Sequence, residues 1–140
     1  MNLRDRFPFP YTRRDGRAFI KLARRMEPES FFAIAVGGEA VGGIGFVPGH
    51  DVERVSTEVG YWLGEAFWGR GIATEALTAV TQYAIHTHGF TRVFALPFAH
   101  NDASCRVLEK AGYVLETRLR KSAIKDGLIC DQLQYAYIVP

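Results

Sequence analysis

The residues best suited to chemistry lie between Val59 and Ala76, in the order Val-Gly-Tyr-Trp-Leu-Gly-Glu-Ala-Phe-Trp-Gly-Arg-Gly-Ile-Ala-Thr-Glu-Ala. An alternating run passes there into a glycine-bearing turn that opens directly into a helical pattern. The first N–H groups of such a helix have no partner within it and carry the positive end of its dipole. Glycines at 69 and 71 let a ligand approach the backbone closely, a geometry suited to pyrophosphate. Spacing alone also fits a plain strand-to-helix connection that uses glycine only to turn. A Walker loop needs a lysine that is missing here. A dinucleotide fingerprint needs a third glycine where Thr74 stands, after a strand that opens a βαβ unit, and this strand follows a hairpin instead.

The elements that must position this segment follow from periodicity. Thr12 and Asp15 resemble a capping box, and Ala18, Phe19, Leu22, Ala23 and Met26 recur at helical spacing until Pro28. Phe31–Val36, the turn Gly37-Gly38 and Val41–Val47 predict a hairpin. Beyond a polar loop, Val55, Thr57, Val59, Tyr61 and Leu63 alternate with Ser56, Glu58, Gly60 and Trp62. A strand there puts an acid and a tryptophan on the face opposite its aliphatic stripe. Ile72, Ala73, Ala76, Leu77, Val80, Ala84 and Ile85 form the stripe of a long helix closed by Gly89. A short strand, Val93–Phe98, precedes a helix capped at Asn101 or Asp102 with core positions Ala103, Val107, Leu108 and Ala111. Tyr113 to Ile138 predicts two strands joined at Lys125-Asp126-Gly127. Hairpins at both ends and strand–helix–strand in the middle predict a mixed sheet with helices on its faces.

The chain has 140 residues, which suits a single domain, residues 1–140, without linker or repeat. Hydrophobic residues are 48% and charged residues 23%, an ordinary globular balance. The net charge is +2, with 17 basic residues spread among 15 acidic ones, which argues against nucleic-acid binding. Two cysteines, Cys105 and Cys130, show no framework or zinc spacing. His86 and His88 are two apart in a helix and point to different faces, so no metal is expected. No apolar run is long enough to span a bilayer and the start has no signal core, so a cytoplasmic protein without membrane attachment is the default expectation.

Trp68-Gly69-Arg70-Gly71-Ile72-Ala73 resembles the acetyl-CoA-binding motif of the GNAT superfamily of N-acetyltransferases, Gln/Arg-x-x-Gly-x-Gly/Ala, with Trp68 in place of the usual first residue. Gly60-Tyr61-Trp62-Leu63 before it and Thr74-Glu75-Ala76 after it are similar to the Rim-type branch, whose founders acetylate N-termini of ribosomal proteins. A second match runs from Asn101 to Tyr113, similar to that branch's Asn-x-x-Ser-x-x-x-Leu-x-Lys-x-Gly-Phe segment. Lys125-Asp126-Gly127 with Asp131 and Tyr135 matches its closing hairpin. The resemblance implies an α+β fold, a mostly antiparallel mixed sheet flanked by helices. Relatives begin with a further strand, whereas only six residues precede Phe7-Pro8-Phe9-Pro10-Tyr11 here. The domain is therefore expected to be N-terminally short, to lack its first strand, and to have an edge at which a homodimer is plausible.

The resemblance also implies site roles. Backbone groups of Trp62 and Leu63 line the acetyl and pantetheine arm, and the N–H groups of Gly69, Arg70, Gly71, Ile72, Ala73 and Thr74 hold the pyrophosphate. Arg70 adds charge to the phosphates or points into water. Asn101 bonds the pantetheine, caps its helix, or does both. Many relatives carry a tyrosine acid at the position of Leu108, which leaves Ser104 as the acid or simply as a first-turn serine bonded to its own helix. Glu58 is the candidate base, or an edge glutamate on a wet sheet face. Phe7, Phe9 and Tyr11 line an acceptor pocket or pack in the core or at an edge.

The expected activity is direct transfer of acetyl from acetyl-CoA to a primary amine, a protein N-terminus or a small amine, with no metal and no covalent enzyme intermediate. The competing expectation is a non-catalytic acyl-CoA-binding or dimeric interaction domain left by N-terminal truncation. A nucleotide-binding regulator fails for want of a ribose-binding acid after a Rossmann strand.

Overall fold

Two tight turns and one long helix organise the chain, whose computed structural model describes residues 30–140. The turn Gly37-Gly38 joins β1 (Phe31–Val36) to β2 (Glu39–Pro48), which pair antiparallel from Phe31↔Gly45 to Val36↔Glu39. β2 then pairs antiparallel with β3 (Ser56–Leu63), in unbroken register from Gly42↔Leu63 to Pro48↔Thr57. The chain continues through α1 (Ile72–His88), β4 (Arg92–Ala95), α2 (Asp102–Lys110), β5 (Val114–Lys125) and β6 (Leu128–Ile138). Asp126 and Gly127 have φ of 53° and 77°, the two left-handed residues that a primed hairpin turn requires. The six strands form one sheet in the order β1-β2-β3-β4-β6-β5. β3 and β4 are parallel, and every other neighbouring pair is antiparallel.

Alternation sends Thr57 and Val59 of β3 into the core with Ile44, Phe46, Val93, Ala95 and Tyr135, against Leu77, Val80 and Ala84 of α1 and Cys105 and Leu108 of α2. Both helices thus cover one face of the sheet, and Ser56, Glu58, Gly60 and Trp62 belong to the other. Each fully buried aliphatic or aromatic side chain in this cluster contributes roughly 1.5–3 kcal/mol. α1 ends where Gly89 donates its N–H to Ile85 O at 2.9 Å.

Two details depart from the periodicity. β4 stops at Ala95 rather than Phe98, because Pro97 has no N–H to give a ladder; Phe98 keeps only an isolated bridge to Gln132. Ala103 is exposed, and Cys105 takes its place in the core. The two lie about 200° apart around the helix, so the face that Cys105 and Leu108 bury leaves Ala103 in water. The helix expected at residues 12–27, the Phe7–Tyr11 segment and the question of a preceding strand lie outside the described residues.

The central parallel pair is short. β3 and β4 are matched only at Ser56↔Arg92, Thr57↔Val93 and Glu58↔Phe94, yet β3 runs on to Leu63 while β4 turns away to pair with β6 through Ala95↔Tyr135. Between Val59–Leu63 and the chain beyond Ala95 the sheet splays open, and both helices begin beside that splay.

Candidate functional site

The turn from β3 into α1 forms one wall of the splay. A short helical turn, Glu65–Phe67, follows Leu63, and Trp68 folds back so that its indole N–H donates to Leu63 O at 2.7 Å. That bond pins the turn and occupies one acceptor site of the carbonyl expected to face the acyl arm. Arg70 lies with its guanidinium 5.4 Å from the Phe67 ring centroid, an exposed cation held over an aromatic face.

Gly69 and Gly71 have φ of 74° and 76°, which side chains other than glycine adopt only with strain. A Cβ at either position would have no protein atom within 4 Å, so both glycines face open space. Gly71 is the N-cap of α1 and supplies no side-chain cap. Its carbonyl takes the N–H of Glu75 at 3.0 Å, while the N–H groups of Ile72, Ala73 and Thr74 have no acceptor inside the helix. Backbone curvature, an empty approach, a bare helix N-terminus and one nearby cation together make an anion cradle.

The second wall is the start of α2. Asn101 Oδ1 accepts the N–H of Ser104 at 3.2 Å, so Asn101 is the N-cap and keeps its amide NH2 for a ligand carbonyl. Ser104 Oγ lies 2.8 Å from the hydroxyl of Tyr61, which also donates to Ser104 O at 3.2 Å. Tyr61 belongs to the stretch of β3 that β2 pairs and β4 does not, so this contact crosses from strand to helix on the helical side of the splay. Burial pushes the Tyr61 hydroxyl up to about 12, partly offset by its bond to Ser104. Leu108, one turn below Ser104, is wholly buried.

The structure therefore gathers Trp62, Leu63, Gly69, Arg70, Gly71, Ile72, Ala73 and Thr74 along one wall and Asn101 with Ser104 along the other. It does not bring Glu58 to Ser104. Glu58 pairs with Phe94 where the parallel ladder ends, and alternation puts it on the sheet face away from both helices. The sequence reading treated Tyr61 as core stripe and missed its contact. The available signal was chemical: a buried tyrosine hydroxyl needs a partner.

Among the described residues no cluster of three or more His, Cys, Asp or Glu is arranged to hold a metal, and no helix is long and apolar enough to cross a membrane.

Fold and site together define a mixed α/β domain with an anion cradle beside a splayed parallel strand pair. Residues 1–114 match the acetyltransferase (GNAT) domain, and the chain belongs to that family. It is 32% identical over 102 residues to YoaA, an uncharacterized N-acetyltransferase of Bacillus subtilis, covering 73% of this chain and 57% of the relative. It is 30% identical over 82 residues to the [ribosomal protein uS5]-alanine N-acetyltransferase of Escherichia coli, covering 59% and 42%. The chain thus spans about half the length of such relatives. Among solved structures, the microcin C7 self-immunity acetyltransferase MccE in complex with acetyl-CoA and AMP superposes with a TM-score of 0.79 at 25% identity, over 94% of this chain and 74% of that one.

Proposed function

We propose that the chain binds acetyl-CoA and transfers its acetyl group directly to a primary amine, with a peptide N-terminal α-amine as the acceptor class. One observation carries this reading: Gly69 and Gly71 curve an exposed, sterically empty backbone onto the bare N-terminus of α1. Bound acetyl-CoA supplies an acetyl thioester. The N–H groups from Gly69 to Thr74 hold its pyrophosphate, Arg70 adds positive charge, and Trp62, Leu63 and Asn101 orient the arm that reaches into the splay. The acceptor class draws on the uS5-alanine relative, and the chemistry agrees with it. At neutral pH, deprotonating a lysine-like amine costs roughly 4–5 kcal/mol, against about 1 kcal/mol for an α-amine.

A weak base is then sufficient. Glu58 takes the amine proton through water on one face of the sheet, and Ser104 gives its hydroxyl proton to the leaving sulfur on the other. Opposite faces suit a splay that two substrates reach from opposite sides. Direct transfer is favoured because Cys105 is buried, its thiol pushed up by desolvation and hence poorly nucleophilic.

Isothermal titration of the chain with acetyl-CoA, beside a Gly71→Asp variant, tests the cradle. Aspartate tolerates positive φ better than most residues, so the variant is expected to melt cooperatively and lose at least about tenfold in affinity through its added carboxylate. A wild type that folds but does not bind sinks the reading. Binding without release of thiol against a panel of N-terminal peptides and small amines would favour a binding domain over an enzyme.

A further inference from the structure

Tyr61 ties β3 to the first turn of α2 across the helical side of the splay. Its hydroxyl makes two contacts with the same residue, Ser104 Oγ at 2.8 Å and Ser104 O at 3.2 Å. A hydroxyl has one proton. When Tyr61 gives that proton to the carbonyl, it accepts from the Ser104 hydroxyl; when it turns toward Oγ, Ser104's own proton is released to point elsewhere. Asn101 holds Ser104 from the other side by accepting its backbone N–H. The serine is thus fixed by cap and tyrosine together, and only its hydroxyl hydrogen remains free to choose a partner.

We infer that Tyr61 is a positioning residue for Ser104, aiming the serine hydroxyl at the sulfur and supporting its oxygen when it donates there. This rests on the acetyl-CoA reading given above. In the donating state the Ser104 O–H hydrogen-bonds the thiolate and the Tyr61 O–H hydrogen-bonds Ser104 Oγ, a chain of two donors ending on the negative sulfur. When the sulfur is protonated, the Ser104 proton passes to it, Ser104 is reprotonated from water, and Tyr61 keeps its own proton. Tyr61 is suited to that part because desolvation keeps its hydroxyl neutral throughout the physiological range. The titratable groups coupled to it are Cys105 on α2 and, on the approach to β5, Tyr113. Burial raises both, and the exposed Asp102 and Arg106 lie on the outer side of α2. Raised by burial, neither Cys105 nor Tyr113 competes with a thiol for titration near neutrality.

The consequence can be read without an acceptor. Donors aimed at the sulfur favour the thiolate, so free CoA, whose thiol resembles a cysteine with a pKa near ~8.5, gains affinity as pH rises. Acetyl-CoA has no thiol and controls for every other titration. In calorimetry at about pH 7 and about pH 9, the wild-type affinity ratio of CoA to acetyl-CoA is expected to rise about fivefold, corresponding to a thiol pKa lowered by about one unit. Tyr61→Phe keeps the ring in place, and Ser104→Ala removes the hydroxyl it supports. Tyr61→Phe is expected to bind acetyl-CoA within about twofold of wild type; it and Ser104→Ala are each expected to flatten the ratio, and the double variant is expected to flatten it no further. A ratio that still rises in Tyr61→Phe, or that is flat in the wild type, overturns the inference while leaving the acetyl-CoA site standing. Failure of wild type to bind either ligand defeats the acetyl-CoA reading itself.

Discussion

Arg92 and Glu116 join distant strands through side chains alone. The guanidinium on β4 holds the Glu116 carboxylate of β5 with both terminal nitrogens, one at 2.8 Å, and Gln134 of β6 adds a bond at 3.0 Å. These bonds lower the Glu116 carboxyl to about 2, below its value in an unfolded chain. Their stabilisation is therefore complete above the ordinary glutamate range and lost as pH falls from about 4.5 toward about 2. Both groups are partly solvent-exposed, so screening limits the pair to under about 1 kcal/mol. Glu116→Gln is expected to unfold at slightly lower urea than wild type near neutrality and to match it near pH ~2. A gap that persists in acid, measured by urea midpoints across the range, would contradict the assignment.

At the scale of elements, the β2–β3 pair sets the first wall of the splay. A Cβ on Gly42 would lie 2.4 Å from Trp62 O and 3.2 Å from Leu63 Cα, both main-chain atoms that cannot rotate aside. Gly42→Ala must push the two strands apart exactly where Trp62 and Leu63 leave the sheet for the α1 turn. The expected cost is about 1–3 kcal/mol, with a fall in acetyl-CoA affinity beyond what the lower stability explains. Thermal melts and calorimetry well below the midpoint separate the two effects. A variant that melts and binds like wild type would show that β2 is not what holds the wall.

For the whole molecule, one core serves the sheet and both helices. Leu77 of α1 is fully buried within the cluster that also contains Val59, Val93, Leu108 and Tyr135. Leu77→Ala is expected to cost about 2–5 kcal/mol by lost burial and the cavity left behind, a large part of the 5–15 kcal/mol typical of a domain. Because none of the described elements has a core of its own, near-ultraviolet and far-ultraviolet circular dichroism should lose signal at a single midpoint. Separated transitions would mean that α1 unfolds independently and that the cradle can melt while the sheet survives.

What the chain's own order of residues determined was local. Asp126-Gly127 makes a primed turn because two consecutive left-handed residues leave little else. α1 runs from Ile72 to His88 because its apolar stripe lies between a glycine N-cap and the Gly89 stop, and β3 alternates because its residue types do. The anion cradle was legible for the same reason, since Gly69 and Gly71 act through their own backbone angles. Contacts between distant segments were decided only in three dimensions. β3 and β4 part after three matched residues, Ala103 yields its core place to Cys105, and Tyr61 meets a serine 43 residues away. Propensity and capping act within a few residues, whereas strand partners, splay and side-chain encounters depend on how all the buried surfaces pack at once. The local code placed the bare N–H groups at the start of α1; the packed sheet put Ser104 and Glu58 on opposite faces of the gap and set a tyrosine behind the serine.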